Sequence, residues 1–300
     1  MVLGPTASGK SDVAMAFAAD VTGTEIVAVD AMQVYRRMDI GTAKPTVADR
    51  TLVPHHCLDL VEPSADFALP EFVHASRSAI AHVTNRSGLP LLVAGTGLYL
   101  RAITDPMEIP GRWPDVRDEL ERRVADEGTL RLHAELAAAD PVAASRIERG
   151  NSRRVVRALE VLIGSGRPFS SYGPGVATFG ETEIVMVGLR WPRERLHERI
   201  TARVHRMMDY GLLAEVSGLL ASFGELSRTA RQALGYKELI DHLDGRVSLE
   251  EAVESIIVRT RQFAVRQDRW FRRDPRIVWV DVVANPVAEC LPVLRDLAQR

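Results

Sequence analysis

Residues Gly4-Pro5-Thr6-Ala7-Ser8-Gly9-Lys10-Ser11 match the pattern G-x-x-x-x-G-K-[ST] at every fixed position, and they constrain the fold more than any other stretch. Glycines at both ends let the backbone curl round an anion, so that loop amides and the N-terminus of a following helix face its oxygens. Such a loop needs a buried strand before it and a helix after it. Val2-Leu3 is a short apolar strand, short enough to read as a trimmed start, and residues 11–19 read as the helix. The pattern specifies a polyphosphate, with Lys10 on the phosphates and the Ser11 hydroxyl placed to reach a magnesium ion. It leaves open which polyphosphate.

More strands and helices follow in alternation. Residues 25–29 (EIVAV) end at Asp30, residues 89–94 (LPLLVA) end at Gly95-Thr96, and residues 69–85 between them have helical spacing. This order predicts a parallel sheet whose ligands sit at the C-terminal ends of its strands. From Trp113 the texture changes. Residues 115–127 read as a charged helix closed by Gly128, and a second helix runs to about Ala139. Asp140-Pro141 then reads as an N-cap with proline at the first helical position, and Asn151 caps a helix that stops at Gly164. After the loop SSYGPGVATFG (170–180), strand character returns at 183–189. Helices with basic faces run over 192–273, and a strand at 277–280 precedes a final helix. The fold class is α/β: a P-loop NTPase-like parallel sheet flanked by helices, with an inserted all-helical subdomain. Residues 1–112 and 183–300 form the catalytic core and 113–182 the insertion.

Composition narrows the setting. A chain of 300 residues, 46% of them hydrophobic, can bury a large core, yet no apolar stretch reaches the length of a bilayer span. The start lacks the basic end and long apolar run of a signal peptide, and Cys57 and Cys290 are too few and too distant for a disulfide framework or a zinc module. A soluble, cytoplasmic protein is expected, with no membrane partner. Net charge is −2, so the whole is no polycation. Lys10, Lys44 and Lys237 are the only lysines among 38 basic residues; the rest are arginines, a bias that a GC-rich genome accounts for first, although arginine also suits phosphate and stacked-base contacts.

Two features separate the chain from an ordinary ATPase. The strand 89–94 ends in Ala94-Gly95-Thr96, without the aspartate that a Walker-B strand offers to magnesium. Asp30 instead stands where the second strand ends. A carboxylate there can accept a proton from an acceptor substrate or simply cap the next turn, and the residue alone does not choose. Arg195, Arg199 and Arg203 share a helical face, with Arg206 a turn further; they face a bound anion or form a solvated stripe laced with Glu194 and Glu198, and the solvated stripe is the reading for Arg195 and Arg206. His55-His56-Cys57, with no second ligand pair nearby, reads as a structural loop; Met207-Met208, Trp270 and Phe271 read as packing.

Several longer blocks are distinctive: GPTASGKS, DAMQVYRRMDIGTAKP (30–45), AGTGLYLRA, RRVVRALEV, RQALGYKEL and TRQFAVRQDRWFRRD. In this order they resemble the tRNA dimethylallyltransferase family, in its bacterial form. Ala31, Ala94 and Val265 depart from that family's usual residues, the first two only between small side chains.

The resemblance implies that Gly4 to Ser11 hold the diphosphate of dimethylallyl diphosphate, with Lys10 and Ser11 on phosphate and Mg2+, and that Arg199 and Arg203 support them. It makes Asp30 the general base at the adenine amine and sets Thr96 at the reacting region. It aligns Asp30, Ala31, Met32, Gln33, Thr96, Arg117, Arg153, Arg154, Val155, Val156, Arg157, Arg231, Gln232, Ala233, Leu234, Gly235 and Tyr236 with segments that contact the tRNA anticodon stem-loop. The target is the adenosine 3′ of the anticodon, and the enzyme is expected to be a monomer. A P-loop small-molecule kinase using ATP, a noncatalytic RNA-binding module, and an adenylate isopentenyltransferase acting on free nucleotide are the alternatives.

Overall fold

In the computed structural model, which describes residues 1–173, 176 and 178–298, the phosphate-loop strand lies inside the sheet. β1 (Val2–Leu3) pairs on one side with β4 (Leu89–Ala94) and on the other with β5 (Met186–Arg190). With β2 (Thr24–Val29), β3 (His55–His56) and β6 (Ile277–Asp281) the order is β3-β2-β4-β1-β5-β6, every pair parallel. Two residues suffice for β1 because neighbours hold it on both sides. Both its side chains are fully buried, Leu3 in one core cluster with Val27, Leu92 and Phe271 and Val2 in another with Val13, Phe17 and Leu189. Both faces are covered by helices, so the strands read as continuous apolar runs rather than alternating ones.

The strand order also explains where ligands can bind. The chain leaves β1, crosses to β2 and returns to β4 between them, while β5 joins the opposite side of β1. Strand order reverses at β1, and in an open parallel sheet the crevice at such a point lies beyond the strands' C-terminal ends. Gly4, Asp30 and Gly95 each follow a C-terminal strand end there.

The chain divides into two compact units, Met1–Thr104 with Glu181–Arg300, and Asp105–Gly180. The second is all-helical among its described residues, with helices Pro114–Glu127, Thr129–Ala139, Pro141–Arg146 and Ser152–Ser165 around Leu120, Leu132, Leu136, Val155 and Leu159. Its caps are those the sequence predicts. Asp140 Oδ1 accepts from the Ala143 amide (3.0 Å), and Asn151 Oδ1 accepts from the Arg154 amide (3.2 Å). No helix among the described residues is long and apolar enough to cross a membrane.

Three expectations are corrected. His55–His56 is a short edge strand beside Ile26 and Val27, not a loop. β5 begins at Met186, not at 183, and includes Arg190. The last helix of the second unit continues through Gly164 to Ser165 and ends at Gly166, whose φ of 72° is left-handed. Gly164 is there for packing: a Cβ on it would lie 2.2 Å from Trp113 Cδ2. Alanine in a helix interior normally gains about 0.5–1 kcal/mol over glycine, but overpacking costs about 1–3 kcal/mol. Gly164→Ala is therefore expected to lower stability in denaturant unfolding. An unchanged or raised midpoint would mean that the Trp113 ring moves aside at no cost.

Candidate active site

The phosphate loop takes its shape from two left-handed residues, Ala7 (φ 62°) and Gly9 (φ 88°). Gly9 caps the helix Lys10–Asp20 without a side-chain hydrogen bond, so the first-turn amides have no capping side chain as acceptor, as a helix N-terminus that receives an anion requires. The loop carbonyls are turned away and held. Pro5 O accepts from the Ser8 amide at 3.2 Å, Ala7 O from Arg199 Nε at 2.8 Å, and Ser8 O from Trp191 Nε1 at 2.9 Å. Arg199 also lies over the Trp191 ring, 4.5 Å from its centroid. Arg199 thus acts on the loop through Ala7, and burial holds its guanidinium below its ordinary pKa.

Lys10 carries the clearest electrostatic signature. Burial, then the Arg203 charge, push its ammonium down to about 8, against the opposing pull of Asp30 and Asp12. Arg203 is lowered in the same way, by burial first. An anion placed beside them would favour the charged form of both groups, against the burial and mutual repulsion that lower them. Ser11 is exposed on the first turn of the same helix. Arg195 pairs with Glu198 at 3.2 Å on the solvated side.

Opposite the loop, Asp30 divides its two oxygens between two tasks. Oδ1 accepts from the Met32 amide at 2.8 Å and from the Gln33 amide at 3.4 Å, closing the turn after β2. Oδ2 borders the space over Gly95: a Cβ there would lie 3.3 Å from it and 3.6 Å from Lys10 Nζ. A side chain at position 95 would fill that space, and glycine keeps it open. Thr96 Oγ1 accepts from the Ala31 amide at 3.3 Å, tying the two strand ends together. Asp30, Thr96 and Lys10 are therefore brought to one place by β2, β4 and the helix after β1.

The segment that follows Asp30 is anchored from both ends. Lys44 is buried and its Nζ donates to Tyr35 O (2.7 Å), Asp39 Oδ1 (2.6 Å) and Asp59 Oδ1 (2.7 Å). The Glu215 carboxylate accepts from the amides of Asp39, Ile40 and Gly41 and from the Tyr236 hydroxyl at 2.5 Å. Gln33 donates to Thr42 O and Ala43 O, so its side chain works inside this segment.

The remaining sequence-derived positions are of two kinds. Arg231 and Gln232 are exposed, whereas Ala233, Gly235 and Tyr236 are buried, Tyr236 in the core of the first unit. In the helical unit Arg153 and Arg154 are exposed, while Val155 and Val156 face its core and serve to hold that helix. Arg117 and Arg157 both pair with the buried Glu160, at 2.5 and 2.8 Å. Sequence reading missed Trp191, Glu215 and Gln267, whose partners are far away along the chain. Lys44 did leave a signal, as one of three lysines among many arginines.

Residues 33–274 match the family described as IPP transferase, and residues 1–53 match the one described as isopentenyl transferase. A tRNA dimethylallyltransferase from Kineococcus radiotolerans is 47% identical over 97% of this chain and 96% of its own length. One from Streptomyces coelicolor is 45% identical over 93% of this chain and 88% of its own. A full-length tRNA isopentenylpyrophosphate transferase from Bacillus halodurans superposes with a TM-score of 0.71 at 36% identity, covering 99% of this chain and 94% of that one. A eukaryotic dimethylallyltransferase, described as acting on tRNA, reaches a TM-score of 0.77 at 25% identity, covering 99% and 77%.

Proposed function

The chain belongs to the IPP transferase family and is a prenyltransferase that modifies tRNA, and we propose that it moves the dimethylallyl group of dimethylallyl diphosphate to the exocyclic amine of the adenosine 3′ of the anticodon. The observation that carries this reading is the shared space over Gly95, bordered by a carboxylate on one side and the phosphate-loop lysine on the other. A kinase needs that lysine, but its Walker-B aspartate has no counterpart at the end of β4, where Ala94 precedes Gly95.

The reaction balances across these groups. The loop amides, Lys10 and Arg203 hold the diphosphate, and Asp30 Oδ2 orients the amine. As the amine nitrogen bonds to the allylic carbon, the bond from that carbon to the diphosphate oxygen breaks and the oxygen keeps the electron pair. The amine proton passes to Asp30. Swinging the purine out of the anticodon loop gives it access to the carboxylate. Exposed arginines such as Arg153 and Arg154 bind the RNA backbone, which makes affinity salt-dependent.

A magnesium ion fits this chemistry. The described residues contain no group of three or more His, Cys, Asp or Glu able to hold a metal, so the exposed Ser11 hydroxyl and the donor's own phosphate oxygens would ligate it. Bound there, it would help neutralise the departing diphosphate.

Incubation with dimethylallyl diphosphate, magnesium and unmodified tRNA, followed by nucleoside mass spectrometry, is expected to show a dimethylallyl gain on adenosine. Prenylation of free adenosine monophosphate but not of tRNA would move the acceptor to a nucleotide. Phosphoryl transfer from labelled ATP without prenylation would overturn the reading.

A further inference from the structure

Two of the three loops that meet at the site share one buried side chain from a helix remote in sequence, and the third is tied to them through Thr96. Gln267, on the helix Leu249–Phe271, is 7% exposed and uses both ends of its amide. Its Oε1 accepts from the Thr6 amide of the phosphate loop at 2.8 Å, and its Nε2 donates to Gly95 O at 2.6 Å. One turn on, Trp270 packs over the same strand end; a Cβ on Gly97 would lie 2.0 Å from Trp270 Cδ1. Thr96, between these two glycines, accepts from the Ala31 amide beside Asp30. The contacts form one line: Thr6, Gln267, Gly95, Thr96, Ala31 and Asp30.

We infer that Gln267 is a positioning residue that sets the register of the diphosphate-binding loop against the turn carrying Thr96 and the Asp30 segment. The inference rests on the proposed prenyl transfer for its kinetic consequence, though not for its structural one. A primary amide suits the task because it presents one acceptor and one donor, matching an N–H on one side and a C=O on the other. A carboxylate would meet Gly95 O with a second acceptor, and an aliphatic side chain would take this partner from the buried Gly95 carbonyl and the part-buried Thr6 amide. Gln267 touches neither donor nor acceptor in this scheme; it governs how the groups that do are spaced. Displacement of such groups by about 1 Å costs on the order of a hundredfold in rate.

Two variants of the full chain test this, Gln267→Leu and Gln267→Glu, each with four readouts: thermal midpoint, tRNA dissociation constant, kcat for prenyl transfer, and calorimetric binding of inorganic pyrophosphate with magnesium. Both variants are expected to keep the wild-type tRNA dissociation constant within about twofold, to lose at least about tenfold in kcat, and to bind pyrophosphate several-fold more weakly. A filler role would instead lower the thermal midpoint and leave kcat per folded molecule and pyrophosphate affinity unchanged; that result, or wild-type kcat in either variant, overturns the inference. If the wild-type enzyme itself transferred no prenyl group, the functional reading would fail, and pyrophosphate binding would still decide whether Gln267 shapes the loop.

Discussion

Asp30→Asn is expected to reduce turnover by about a hundredfold or more while leaving tRNA affinity and thermal stability close to wild type. The geometry allows this separation because Asp30 has two jobs on two oxygens. Oδ1 closes the turn after β2 through the Met32 and Gln33 amides, and an asparagine oxygen can do the same. Oδ2 borders the open space over Gly95, and there the asparagine offers an amide that cannot take a proton at neutral pH. Asp30→Ala removes both jobs, so it should match the kinetic loss of Asp30→Asn and add a loss of stability of about 0.5–2 kcal/mol, as for other lost side-chain caps. Single-turnover kinetics with saturating tRNA read the first effect, and denaturant unfolding reads the second. Should Asp30→Asn retain turnover within a few-fold while Asp30→Ala fails, the carboxylate is a turn-closing group and proton transfer lies elsewhere.

The parts of this site that were legible in the sequence are local ones. A glycine-rich loop declares itself over eight consecutive residues, and Asp30 and Gly95-Thr96 follow apolar runs whose strand character is plain. The same locality explains the misreadings. A two-residue edge strand such as His55–His56 has no period to detect, and its pairing with Ile26 and Val27 is known only once the sheet exists. Gly164 resembles a helix stop because glycine is a common terminator, yet its role is to admit Trp113 from fifty-one positions away, while Gly166 ends the helix.

Groups that act through long-range contacts were invisible for a related reason. Gln267 reaches Thr6 across 261 residues, and Glu215 reaches the amides of Asp39, Ile40 and Gly41 across 174 to 176. A family-like block also mixes roles that only burial separates. Within the stretch 153–157, Arg153 and Arg154 are exposed, Val155 and Val156 face the core, and Arg157 is half-buried on Glu160. Tyr236 was aligned with an RNA-contacting segment, but its ring lies in the core and its hydroxyl serves Glu215.

Glu160→Ala should cost the helical unit about 3–5 kcal/mol, the usual penalty for removing one member of a buried ion pair. The Glu160 side chain is fully buried, and its carboxylate accepts from the Trp113 amide (3.0 Å), Arg117 and Arg157. The two arginines are only 28% and 24% exposed, so the deletion leaves two partly dehydrated guanidinium groups beside each other, Arg117 with only Glu121 at 3.9 Å, and takes the acceptor from an amide. Arg157 also donates to Pro110 O at 2.9 Å, which ties the segment before Trp113 to the same node. The pH dependence follows from the same contacts. Burial alone would raise the Glu160 pKa, but the Trp113 amide and the two arginines outweigh it and hold the folded value below the ordinary one. A group depressed on folding contributes fully above its unfolded pKa of about 4.3, and the contribution is lost as pH falls through the folded value. Wild-type stability should therefore fall on acidification below pH 4, with part of that slope missing in Glu160→Gln, whose amide can still accept from Trp113 without titrating. Denaturant melts at pH 7 and pH 3.5 measure both effects. A Glu160→Ala midpoint within about 1 kcal/mol of wild type at neutral pH would reduce this cluster to the value of a surface pair.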